Sequence, residues 1–349
     1  MLSDRIEAKW IDVFAEILGR SQIGKGGEAV AILSETQSRS LNVHLAELAV
    51  QRLGGLPFHV VLPTPRNTAP VPVRSTGASL AIGGLAPALA ALKAAPAILD
   101  LTVEGLMHAR ETAEILKAGA RILTLSNEHP EALERLIPTE DDEARVRAAV
   151  KRLKAATRMT VTSAAGSDLA VDMTGAATVG VWGFTAKPGT LQHVPAGLVV
   201  SFPRKATTNG RLVFAPGDVN LTFKRYFETP VTATLENDYI TRIDGTGTDA
   251  ELMRRSLAAW GDRNAYAVSH VGFGMNERAR LEALTMYDQR DTNGTEIRAV
   301  AGNFLFSTGA NEFAGRFTAG HFDLPMMGTT IKLDGEAVVE NGRLLPVFG

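Results

Sequence analysis

The sequence predicts an N-terminal α/β domain with a mainly parallel sheet over residues 1–156. An α+β C-terminal domain rich in antiparallel strands follows over residues 157–349. Three observations predict it. Short apolar runs alternate with helical patterns through the first 136 residues, the texture of strands crossing over through helices. A long charged segment, Glu140 to Ala156, then separates the halves. Beyond Thr157, alternating and β-branched segments punctuated by Gly, Asn and Asp take over. A chain of 349 residues also exceeds what one ordinary core organises.

Taken in order, Ile6, Trp10, Val13, Phe14 and Ile17 recur at helical spacing and predict a helix from Asp4 to about Leu18. Ala29–Leu33, His59–Leu62, Ala97–Leu101 and Ile122–Leu125 read as strands, and residues 39–53, 80–94, 106–118 and 130–136 as helices. Glu140 to Ala156 begins acidic and ends basic, which suits the helix dipole. In the second half MTVTSA, DLAVDM, ATVGVWG, TATLEN and TIKLDG read as strands, with one helix from Asp249 to Trp260.

Composition removes several classes of function. The formal net charge is −2 and no Lys/Arg cluster occurs, so nucleic acid is not an expected partner. Without cysteine there can be no disulfide, iron–sulfur cluster or thiol nucleophile. The first ten residues lack an apolar run of the secretory kind. The longest apolar stretch, Ser79 to Ala95, is broken by Pro87 and Lys93 and falls short of the roughly 20 residues a membrane span needs. A soluble, cytoplasmic protein is the expectation, with no membrane partner.

Nucleotide-binding patterns are missing where an α/β half would carry them. The glycines of GKGG, residues 24–27, precede the first strand instead of following it, and read as a loop. Neither a G-x-S-x-G elbow nor an H-E-x-x-H helix occurs. What remains lies between Ser269 and Gly335. In FTAGHFDLPMMG, His321 and Asp323 would point the same way on a strand. His270, in VSHVGFGMN, offers a third ligand, and two histidines with one carboxylate form the facial triad of non-haem Fe(II). Spacing alone does not separate this reading from a hydrogen-bonded structural histidine.

The runs VSHVGFGMNERA, GNFLFSTGAN, AGHFDLPMMGTTIKLDGEAVV and PTEDDEARV together resemble the 2,5-dihydroxypyridine 5,6-dioxygenases of nicotinate catabolism. The likeness runs through nearly the whole chain. That family shares a superfamily with the M29 aminopeptidases. The resemblance implies that His270, His321 and Asp323 hold Fe(II) in a C-terminal metal-binding domain, and that the partners are a hydroxylated N-heteroaromatic substrate and O2. It further implies that Arg298 and Ser307 face substrate or oxygen, and that His108 and His193 support the site or move protons. A guanidinium fork suits a ring oxyanion. A histidine suits proton transfer near neutral pH. It also implies a homo-oligomer. Read from residue type alone, Arg298 fits a surface ion pair and Ser307 a turn hydroxyl. His108 falls in the expected helix 106–118 and His193 in the loop-like KPGTLQHVPAG, so His108 counts only if the first domain overhangs the cleft.

One position departs from the family pattern. Val181 stands where the dioxygenases carry a glutamate, which puts the identity of the ring in question. The rival from another reaction class is an M29-type aminopeptidase with two metals. In that pattern a glutamate replaces His270 and a further histidine precedes the H-x-D, but no histidine occurs from residue 271 to 320. One metal is therefore favoured over two.

Overall fold

The structure is a computed structural model and describes residues 5–68, 77–289 and 292–348. The first expected layer is there: a parallel five-stranded sheet in the order 56–62, 29–35, 97–100, 121–125, 191–194. Continuous apolar strands allow burial on both faces. Val30 and Ile32 meet Phe14, Ile17 and Leu45 on one side, while Ala31 and Leu33 meet Leu92 and Leu106 on the other. The amphipathic helix Ala8–Arg20 covers the first side with Trp10, Val13, Phe14, Ile17 and Leu18.

Several expected boundaries are corrected. The helix expected at 80–94 starts at Ala86, with Pro87 in its first turn where a missing N–H costs nothing. The helix expected at 106–118 forms only over Thr112–Lys117. Residues 101–111 are instead drawn into an irregular segment by buried carboxylates described below. The loop-like stretch around His193 contains a strand, Leu191–Val194, which pairs parallel with Arg121–Leu125 and supplies the fifth strand of the first sheet from beyond residue 157. No local pattern marks so short a strand; its partner, far back in sequence, makes it one.

The charged segment is the helix Glu140–Ala155, opened by a reciprocal capping box between Thr139 and Asp142. Two antiparallel sheets follow. One has eight strands in the order 239–244, 231–236, 208–214, 168–172, 158–163, 329–333, 336–340, 343–344. The other has five, in the order 316–326, 304–311, 268–274, 198–202, 177–181. They share one core: Val161, Leu169, Leu212 and Phe214 of the larger sheet lie in it with Val199, Phe273, Phe304, Phe306, Phe322 and Leu324 of the smaller. Phe304 and Phe306, like Phe322 and Leu324, are spaced by two, so the residues between them point to the opposite face. That outer face of the smaller sheet carries the site. Among the described residues, no helix is long and apolar enough to cross a membrane.

Candidate metal centre

His321 and Asp323 flank Phe322 on the strand Arg316–Met326. Phe322 is buried in the shared core, so both neighbours face outward. Across the ladder Asp323 pairs with Ser307, and paired residues share a face. His270 reaches the same face by a different device. On the strand Val268–Gly274 the register slips between Val268 and Val271, which pair with Thr308 and Phe306. Three steps along one strand thus match two along the other. This bulge turns the His270 side chain outward while Val268 and Val271 both stay in the core.

The three side chains converge. Asp323 Oδ2 lies 3.2 Å from His321 Nε2, and its Oδ1 lies 3.6 Å from His270 Nε2. One donor atom from each residue falls within 4.8 Å of the others, in one cluster of metal-ligating type among the described residues. Arg298 brings Nε and Nη2 onto Asp323 Oδ2 at 2.8 and 2.5 Å. Burial by itself would raise the Asp323 pKa, but Arg298, His321 and His270 outweigh it and hold the carboxyl well below the usual carboxylate range. Burial pushes His270 down to about 3, so the ring is neutral. His270 Nδ1 is buried with no hydrogen-bond partner.

These observations fit a divalent ion. Ligand bonds of about 2.1 Å separate neighbouring donor atoms by about 3–4 Å, the range of the two contacts to Asp323. A neutral imidazole and an ionised carboxylate are the protonation states a metal requires.

The other residues singled out from the sequence gather around this trio. Ser307 is fully buried opposite Asp323, and Arg298 keeps only 14% of its side chain exposed, so neither a turn hydroxyl nor a surface ion pair describes them. His108 belongs to the irregular segment 101–111, not to a helix, and its ring centroid is 6.1 Å from that of His321. The first half therefore does overhang the site. That segment is fastened by Asp100, which accepts from Thr102 N, Thr102 Oγ1, Leu106 N and Thr124 Oγ1, while Glu35 accepts from Val103 N. The His108 backbone N–H donates to Gly77 O. His193 is the last residue but one of a strand of the parallel sheet, near the carboxyl end where α/β sites characteristically lie. Its Nδ1–H donates to Pro195 O at 2.8 Å, which leaves Nε2 as the acceptor. Burial pushes both His108 and His193 down to about 4.

Sequence reading passed over several contributors. Phe202 sets its edge against the His270 ring at 5.7 Å, and exposed Phe313 packs on Phe202 at 5.1 Å. Asp100 and Glu128 hold loops that carry site residues. A carboxylate at the end of a parallel strand was the available signal for Asp100; Glu128 had none. Val181 lies on the site face of the sheet, since it pairs with Leu198. It joins an apolar strip with Ala196, Leu198, Val200, Phe202 and Leu305.

Comparison with known proteins agrees with this architecture. A family model described as 2,5-dihydroxypyridine 5,6-dioxygenase matches residues 9–346. A curated 2,5-dihydroxypyridine 5,6-dioxygenase from Pseudomonas putida KT2440 is 36% identical over 343 residues, 97% of this chain and 96% of that protein. The solved structure of the 2,5-dihydroxypyridine dioxygenase from Pseudomonas putida KT2440 superposes with a TM-score of 0.90 at 35% identity, covering 97% of each chain. Wild-type AmpT from Thermus thermophilus superposes with a TM-score of 0.63 at 16% identity, over 97% of this chain and 99% of that one, a likeness of fold alone. With the match spanning nearly its whole length, this chain belongs to the 2,5-dihydroxypyridine 5,6-dioxygenase family.

Proposed function

We propose that this protein is an Fe(II)-dependent ring-cleaving dioxygenase acting on a dihydroxylated pyridine. The observation that carries the reading is the convergence of His270, His321 and Asp323 on one sheet face, in a chain of this family. With 2,5-dihydroxypyridine, both atoms of O2 enter as the ring opens between adjacent carbons, and the product is N-formylmaleamate. Substrate plus O2 equals product, so no further reductant is needed. His270, His321 and Asp323 would hold the iron, which when bound supplies open positions for a chelating substrate and for O2.

The chain's own groups do the rest. Arg298 sits beside the carboxylate with a fork able to neutralise a ring oxyanion. Ser307, buried next to Asp323, offers a hydroxyl on the same face. His193, fixed by Pro195 O with Nε2 as acceptor, is suited to take a proton, and His108, its ring beside that of His321, to return one. The Val181 strip gives the face of a flat aromatic ring a surface to lie on. A cytoplasmic location, a role in nicotinate breakdown and a homo-oligomeric assembly belong to the same proposal.

The test is oxygen uptake by Fe(II)-loaded protein with 2,5-dihydroxypyridine, its ultraviolet absorbance followed in parallel. Equal losses of O2 and substrate are the expected result. No uptake by protein that holds one iron per chain would overturn this ring as substrate and turn the search to hydroxylated rings compatible with an apolar residue at position 181.

A further inference from the structure

The segment that carries Arg298 is a helix of only five residues, Thr295–Ala299. Helices this short do not persist on their own, and their first N–H groups have no partners within the helix. Here the N–H groups of Thr295, of Gly294 at the cap and of Asn293 before it are met by a side chain from the other half of the chain. Glu128, 1% exposed, follows the parallel strand Arg121–Leu125 and spans the 165 residues in between. Its Oε2 accepts from Asn293 N at 3.1 Å, and its Oε1 accepts from Gly294 N at 3.0 Å and Thr295 N at 2.9 Å. Glu128 is itself anchored, since its backbone carbonyl accepts from Asn42 Nδ2 at 3.0 Å. Neighbours reinforce the join: Thr295 Oγ1 donates to Ser126 Oγ, and Arg135 pairs with Glu296 at 2.7 Å. At the helix's other end Asn303 Nδ2 donates to the carbonyls of Ile297 and Arg298.

We propose that Glu128 is a positioning residue which, by gathering the three consecutive backbone N–H groups that lead into the Arg298 helix, sets the reach of Arg298 over the metal-site carboxylate and so makes substrate affinity depend on how the two halves dock. The proposal rests on the ring-cleavage reading above for its kinetic readout. The physical ground is the geometry of the chain of contacts. Two of Arg298's N–H groups must meet a single oxygen of Asp323, a demand that tolerates little movement of the helix. Without Glu128, three buried donors lose their acceptor and the helix has no reason to keep its place.

The experiment is a double-mutant cycle on the full-length, iron-loaded protein: Glu128→Ala, Arg298→Ala and both together, with Glu128→Gln as a milder variant that keeps one acceptor oxygen. Asp249→Ala serves as control, because Asp249 accepts from Glu228 N and Thr229 N in a separate hydrogen-bond mesh. Glu128→Ala is expected to speed hydrogen exchange of the peptide spanning residues 293–299 at least about tenfold. It should raise KM for 2,5-dihydroxypyridine about tenfold or more while iron content stays at the wild-type level, with Glu128→Gln in between. Added to Arg298→Ala, it should change KM less than about twofold. Affinity for Co(II), titrated alone, should change by the same small factor, below about threefold, in both single variants and no further in the double, so that occupancy at excess metal stays at the wild-type level. Additive effects in the cycle, unchanged exchange in Glu128→Ala, or an equal KM rise in Asp249→Ala would overturn the proposal. Should Glu128→Ala not fold, the cycle with Glu128→Gln decides by the same criteria. Should wild type not turn over this substrate, the ring-cleavage reading falls, and hydrogen exchange with the Co(II) cycle still decides the role of Glu128.

Discussion

Arg298 places two of its N–H groups on one oxygen of Asp323, leaving the other oxygen turned toward His270. One oxygen is thus shared by the guanidinium and His321 while the other is left to His270, and the charge of the carboxylate is secured before any ion arrives. From this division follow expectations for each partner.

His321→Ala removes a donor whose Nε2 lies 3.2 Å from Asp323. Iron content per chain, measured by elemental mass spectrometry, should fall from one to near zero. The circular dichroism spectrum and thermal midpoint should change little, because the side chain lies on the outer face of its sheet. Full activity in this variant would remove His321 from the ligand set.

Arg298→Ala should separate substrate from metal. Affinity for 2,5-dihydroxypyridine is expected to drop about tenfold to a hundredfold, the effect of losing a charge-assisted fork. Iron occupancy should stay close to wild type. Iron lost in step with substrate would make Arg298 a support for Asp323 alone.

Glu128 gives the stability of the fold a pH dependence of known sign. Burial, with the charge of Glu296 adding to it, pushes the Glu128 carboxyl up to about 7 from a model-peptide value of 4.5. A raised carboxyl stabilises the folded state fully below about pH 4.5, and this contribution is lost as pH rises toward 7. The loss is on the order of 3 kcal/mol. Glu128→Gln removes the titration. The difference in urea-unfolding free energy between wild type and this variant should therefore shift against wild type across that window and stay level outside it. A flat difference throughout would show that Glu128 does not titrate there.

Gly309 faces His321 across the ladder with φ of 121°, and a Cβ there would meet Gly320 O at 2.1 Å. Gly309→Ala should cost about 2 kcal/mol or more of stability. Since the strain falls on the backbone beside His321, iron affinity should weaken as well. Calorimetry and iron titration of one preparation would check both, and a variant with wild-type values would mean the strand pair yields freely at this point.

Legibility in the sequence followed the range of the interactions involved. Helical and two-residue periodicities report which side of an element is buried. The spacing of His321 and Asp323 therefore put the two on one side of a strand, if a strand formed, and the charged helix Glu140–Ala155 declared itself through its acidic start and basic end. Family resemblance then drew attention to His108, His193, Arg298 and Ser307, without saying how any of them reaches the site.

Residue order by itself determined the two textures of the chain, most of its helices, the first four strands of the parallel sheet and some of the antiparallel ones, and the H-x-D spacing that puts both side chains on one face of a strand. Tertiary structure alone decided the rest. The bulge that turns His270 outward exists because of its pairing with Thr308 and Phe306. The strand under His193 exists because Arg121–Leu125 lies beside it, and His108 leaves its expected helix because Asp100 and Glu35 bind the intervening backbone. Arg298 reaches Asp323 from a helix whose first residue, Thr295, donates its N–H to Glu128, 167 residues away. Periodicity records burial along one element, whereas these placements depend on hydrogen bonds between segments distant in sequence, and such bonds leave no local pattern to read.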